Sequence, residues 1–193
     1  GSGMKMTNSG EYFQSTYGTS RRKFAKLIIT ATKEDVLAVD VVIYEKGKAS
    51  EPKIAEKQLT EIIHKGGKIA KAYDDGAFDN RPYFNFLEKN QIEAAIRIRA
   101  NATTKAKGSY RRKKEVQKFK ALGYKEWRIK TQYGQRWPMT EGHFSALKRG
   151  YGDGSRAHKT ENILLEIKRK TWIYDKIRKY GRVQTTKTSV FSN

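Results

Sequence analysis

The chain has 193 residues, enough for one domain with a true core, and its 41 Lys and Arg against 20 Asp and Glu leave a formal charge of +21. Such an excess repels itself in a lone globule and implies a polyanionic partner, nucleic acid ahead of an anionic membrane surface. There is no cysteine, which excludes disulfides and thiolate metal sites; the three histidines lack metal-ligand spacing, and no apolar run approaches the roughly 20 residues of a membrane span.

The polar, glycine-rich start has no secretory pattern, and a cytoplasmic, nucleoid-associated location fits. Gly1-Ser2-Gly3 precede Met4, either as an added leader or as native sequence running on from something upstream. Residues 1–22 read as a turn-rich lead-in, 23–180 as the core and 181–193 as a flexible tail. Within the core, FAKLIITA (24–31) and VLAVDVVIY (36–44) read as two strands of an antiparallel hairpin turning at Lys33-Glu34-Asp35. The second is almost continuously apolar, which predicts a central place in its sheet. Ser50 and Pro52 open a helix that Gly66-Gly67 ends.

KIAKAY (68–73) reads as a strand running into Asp74-Asp75-Gly76; a helix follows over 80–90 and an alternating strand over 92–98. Residues 101–130 hold eleven Lys or Arg against two Glu and contain a basic helix from Ser109. Thr140 is a candidate N-cap for a helix over 141–149. A long helix over 159–180 carries Ile163, Ile167, Tyr174 and Ile177 along one side, and Trp172 reads as core or interface. The order predicts a mixed α/β fold, a hairpin followed by βαβ-like units.

Asp75 falls where a strand ends, the place where α/β sheets collect ligands, and a carboxylate there suits Mg²⁺. An ordinary Asp-Gly turn, with Asp79 capping the next helix, explains the same residues. Glu141, Ser145 and Lys148 share a helical face, so that Glu141 could reach a metal and Lys148 a phosphate; a first-turn Glu favoured by the helix dipole is the plainer reading.

DDGAFDN (74–80), IRIRANATTKAKGS (96–109), RWPMTEGHFSALKRGYG (136–152) and RAHKTEN (156–162) occur in an order that resembles DDE insertion-sequence transposases of the IS-four and IS-five kind, from about Gly10 to Tyr180. The resemblance implies a ribonuclease H-like mixed sheet flanked by helices, with a basic insertion before the C-terminal helices. It maps the second catalytic acid to Asp75, the third to Glu141, and the family's Tyr, Arg, Glu and Lys signature to Tyr133, Arg136, Glu141 and Lys148. The interval from Arg136 to Glu141 is one residue longer than that signature. The resemblance implies Mg²⁺ or Mn²⁺ held by Asp75 and Glu141, DNA as partner, and a homodimer that pairs two DNA ends. It also implies a first catalytic Asp just before a turn at Gly1-Ser2-Gly3, so that activity is impaired without it; a non-catalytic protein that binds or bridges DNA without sequence preference is the alternative.

The candidate DNA contacts are Arg21, Arg22, Lys105, Lys107, Arg111, Arg112, Lys113, Lys114, Lys118, Lys120, Tyr133, Arg136, Lys148, Arg149 and Arg156; all but Tyr133 are cations, which neutralise phosphates and release counterions. Tyr110, Phe119, Tyr124 and Trp127 either stack on unpaired bases or, more simply, pack the insertion onto the core.

Overall fold

A computed structural model describes residues 1–6, 24–44 and 50–190, with side chains as far as residue 182. The chain divides into two compact units, one of Gly1–Ala49 with Gly142–Asn193 and one of Ser50–Glu141.

In the first unit, β1 (Ser2–Met6), β2 (Phe24–Ala31), β3 (Val36–Tyr44) and the short β6 (Gly154–Ser155) form a sheet in the order β3-β2-β1-β6. The β1-β2 and β2-β3 pairs are antiparallel and β1-β6 is parallel. The hairpin lies where the alternating and β-branched residues predict it. Two expectations about this sheet need correction. β3 is an edge strand of this sheet, not a central one. Its apolar run reflects partial burial of both faces, and Leu37 is still 47% exposed. The lead-in and its expected Gly1-Ser2-Gly3 turn contain a strand instead. SGMKM has no β-branched residue to announce it, yet Met4 is fully buried.

Met4, Ala25, Leu27 and Val41 pack against Phe144 and Leu147 of α4 (Gly142–Tyr151) and Ile163, Ile167 and Tyr174 of α5 (Thr160–Val190). The long helix continues to Val190, through most of the predicted tail. Trp172 is exposed rather than core. The Thr32–Asp35 turn is fixed from α4 and α5: Asp175 Oδ1 accepts from Val36 N at 3.0 Å, and His143 Nε2 meets the Thr32 carbonyl at 2.9 Å. A carbonyl only accepts, so Nε2 carries the proton and Nδ1 accepts from the Tyr174 hydroxyl at 3.0 Å. Burial pushes the His143 pKa down, which keeps this neutral tautomer. At the other end, Glu166 accepts from Ser155 Oγ at 2.5 Å and Ala157 N at 3.2 Å and pairs with Lys170 at 2.7 Å. Desolvation pushes its carboxyl up, but these bonds prevail and hold it at about 2.

In the second unit, α1 (Glu51–His64) ends before Gly66, whose φ of 82° suits a glycine. β4 (Lys71–Asp74) and β5 (Glu93–Ile96) are a parallel pair, with Asp74 opposite Ile96. Asn80, not Asp79, caps α2 (Arg81–Lys89), accepting from Tyr83 N at 3.0 Å. α3 (Tyr110–Lys130) is the basic helix; Ser109 caps it and Gly123, at φ 70° and ψ 166°, kinks it. Leu59, Phe78, Tyr83, Phe84, Leu87, Ile96 and Val116 form the core. The architecture is α/β, a mixture of parallel and antiparallel strands with five α-helices among the described residues, in agreement with a ribonuclease H-like fold. Among the described residues no helix is long and apolar enough to cross a membrane.

Candidate metal and DNA site

The acidic stretch begins at the carboxyl end of β4. Asp74 is the last strand residue, and its carbonyl accepts two donors, Arg97 N at 3.2 Å and the Tyr133 hydroxyl at 3.1 Å. Its side chain accepts from the Tyr83 hydroxyl at 2.9 Å. Burial pushes the Asp74 carboxyl up to about 6; the Tyr83 bond opposes this and the charge of Asp75 adds to it. Asp75 is extended (φ −83°, ψ −178°) and caps the 3₁₀ turn Gly76–Phe78 with Oδ1, which accepts from Ala77 N at 2.8 Å. Thus the capping role is real and falls to Asp75, while Oδ2 accepts nothing among the described residues. Arg99 clamps the turn from below, donating to the carbonyls of Gly76 at 2.6 Å and Ala77 at 3.1 Å.

Asp79 is internal. Its side chain has no exposure, accepts from Arg99 N at 3.0 Å and takes Arg112 in a two-pronged ion pair at 2.7 and 3.1 Å. Arg112, a candidate DNA contact, therefore points inward and is committed to Asp79.

Tyr133 follows α3 in a 3₁₀ turn, Tyr133–Gln135, and is 7% exposed, packed with Trp127 and Ala95. Its hydroxyl is spent on Asp74. Burial raises its pKa, the charge of Asp75 also raises it and that of Arg136 lowers it, so all three lie within electrostatic reach. The extra residue between Arg136 and Glu141 is absorbed in a π turn, Trp137–Glu141. Bonding from i to i+5 places Arg136 and Glu141 in the register that i and i+4 have in an α-helix. Arg136 Nη1 donates to Glu141 Oε1 at 3.2 Å, and Thr140, expected as an N-cap, donates its hydroxyl to the Arg136 carbonyl at 2.9 Å. The Glu141 side chain is 45% exposed, and Oε2 accepts nothing among the described residues.

The second unit thus gathers Asp74, Asp75, Tyr133, Arg136 and Glu141 through a continuous series of contacts and charge interactions. The free oxygens of Asp75 and Glu141 are carboxylate oxygens, the hard donor type that Mg²⁺ and Mn²⁺ take. Among the described residues no cluster of three His, Cys, Asp or Glu side chains is close enough to hold one by itself.

Of the other candidate DNA contacts, Lys105, Lys107, Lys114, Lys118 and Lys120 are exposed, as are Arg149 and Arg156. Arg111 is half-buried against Glu115 at 3.4 Å, and Lys113 and Lys114 lie over the exposed Tyr110 ring, at 5.9 and 4.7 Å. Lys148 belongs to the first unit and donates to the Gly3 carbonyl at 2.8 Å. Arg21 and Arg22 lie outside the described residues. Phe119, Tyr124 and Trp127 pack on one another, with ring centroids 5.1 to 6.5 Å apart, as the packing reading expects. Reading by motif missed Tyr83, Arg99 and the internal role of Asp79. Only the alternation of IRIRA (96–100), which sets Arg97 and Arg99 on one side, hinted at Arg99.

No curated protein and no solved structure matches this chain. The family described as the transposase DDE domain matches residues 1–175, which include both units' strands, the acidic turn and the π turn. The chain belongs to the transposase DDE domain family.

Proposed function

We propose that this chain binds DNA through its lysine-rich surface and contributes Asp75 and Glu141 to a metal-dependent site that cleaves and joins DNA phosphodiesters. The observation that carries this reading is the pair of links made by Tyr133: its hydroxyl bonds the Asp74 carbonyl, next to Asp75, and its ring lies 5.8 Å from the guanidinium of Arg136, which pairs with Glu141. Two divalent ions, as the resemblance implies, would supply an activated water or 3′-hydroxyl at one and a stabilised leaving oxygen at the other for in-line displacement.

The chain's own residues do the rest. Asp75 and Glu141 offer one uncommitted oxygen each. Tyr133 and Arg97 hold the Asp74 carbonyl, which fixes the strand end from which Asp75 projects. Arg99 keeps the following turn closed. Lys105, Lys107, Lys114 and Lys118 are exposed cations that draw the DNA backbone to an otherwise acidic site, with affinity that falls as salt rises.

Because no group of three His, Cys, Asp or Glu among the described residues could hold a metal, a second reading is favoured for the chain acting alone. It binds or bridges DNA tightly and cuts it weakly, in the manner of the impaired relative that the IS-four and IS-five resemblance suggests. A homodimer pairing two DNA ends, at the nucleoid, belongs to the same proposal.

Nicking of supercoiled plasmid by the full chain in Mn²⁺ tests both readings, with Asp75→Asn beside it. Nicking that Asp75→Asn abolishes supports the catalytic role. Plasmid that is retarded but not nicked supports binding alone, and equal nicking by both proteins refutes the assignment of Asp75.

A further inference from the structure

Glu141 already has a cation. Arg136 Nη1 lies 3.2 Å from Glu141 Oε1, and the side chains are only 24% and 45% exposed. The pair forms despite the lengthened interval. The two positions are five apart in the chain, and the π turn Trp137–Glu141 brings them onto one face. The Thr140 hydroxyl, bonded to the Arg136 carbonyl at 2.9 Å, reinforces that turn. The guanidinium is centred 5.8 Å from the Tyr133 ring, whose hydroxyl reaches the Asp74 carbonyl. Arg136 therefore lies beside Glu141 and beside the ring of Tyr133, whose hydroxyl bonds the residue before Asp75.

We propose that Arg136 is the resident counter-ion of Glu141: its guanidinium holds the carboxylate in the absence of metal, competes with a divalent ion for it, and is released toward a DNA phosphate when the ion binds. This rests on the reading of Asp75 and Glu141 as metal ligands. Two effects make the competition. The ion pair must loosen before both Glu141 oxygens are available, and a fixed positive charge beside the site repels a dication. Release then supplies a planar, two-pronged donor suited to a phosphate. Metal and DNA would each favour the released state, so each should tighten the binding of the other.

Mn²⁺ affinity of the full chain, read from the electron paramagnetic resonance signal of free Mn²⁺, tests the inference without any turnover. For a half-exposed pair the expected gain in Arg136→Gln is about threefold to tenfold in Mn²⁺ affinity at low salt, shrinking as salt screens the charge. Arg136→Lys keeps the positive charge and should stay nearer the wild type. Saturating duplex DNA should tighten Mn²⁺ binding in the wild type and do so less in Arg136→Gln. Unchanged or weaker Mn²⁺ binding by Arg136→Gln, folded by circular dichroism, overturns the proposal. Mn²⁺ binding by Asp75→Asn and Glu141→Gln equal to that of the wild type overturns the underlying site as well, so the two failures are distinct.

Discussion

Arg112 separates a contact made for DNA from one made for the fold. Replacing it with alanine leaves the Asp79 carboxylate, with no exposed side-chain surface, facing only the Arg99 N–H at 3.0 Å. Breaking a buried pair by removing one partner costs about 3–5 kcal/mol, because the remaining charge is desolvated and uncompensated. The surviving Arg99 bond softens this, so about 3 kcal/mol is expected, more than a hundredfold in the folded-to-unfolded ratio. Urea unfolding of the full chain, followed by far-ultraviolet circular dichroism, measures it. Lys114→Ala is the comparison: an exposed lysine should leave stability within about 0.5 kcal/mol and weaken DNA binding. The reasoning is refuted if Arg112→Ala unfolds at the wild-type urea concentration and loses DNA affinity as Lys114→Ala does. Arg112 would then face the phosphates.

Three further outcomes follow from the same contacts. Tyr133→Phe removes one of two donors to the Asp74 carbonyl, so it should cost only about 1 kcal/mol in urea unfolding, while reducing metal-dependent nicking through looser placement of Asp75. Glu166 is held at about 2, below its usual value near 4.5, so its contribution to stability is complete above pH 4.5 and is lost as pH falls toward 2; Glu166→Gln should flatten the pH dependence of thermal unfolding over that window. Lys114→Ala combined with Lys118→Ala should lower the slope of log affinity against log salt by about 2 on duplex DNA if each neutralises one phosphate, and an unchanged slope would place the DNA elsewhere.

Much of the fold is legible in local pattern. The hairpin of FAKLIITA and VLAVDVVIY, the helix closed by Gly66, and the basic helix capped by Ser109 all follow from periodicity and end signals. β1 is not legible, because SGMKM has neither β-branched residues nor length, and its strand state is fixed by pairing with β2 and the burial of Met4. The edge position of β3 is likewise a matter of pairing, which an apolar run does not report. At the site, the motif picks out Asp75 and Glu141, but the direction a side chain takes is set by distant partners. Arg112 and Lys114 are neighbours in one basic stretch, and only the position of Asp79, 33 residues before Arg112, sends the first inward. The longer interval between Arg136 and Glu141 is plain in the sequence. Its meaning depends on the π turn, which backbone bonding decides.

Replacing the natural ion with Fe²⁺ and generating hydroxyl radicals with ascorbate and peroxide tests the central claim most directly, because the chain is then cut where the metal sits. The account predicts cuts at residues 74–76 and 136–141, lost together in Asp75→Asn. Cuts confined to other segments, or unchanged by Asp75→Asn, would contradict a metal held by Asp75 and Glu141.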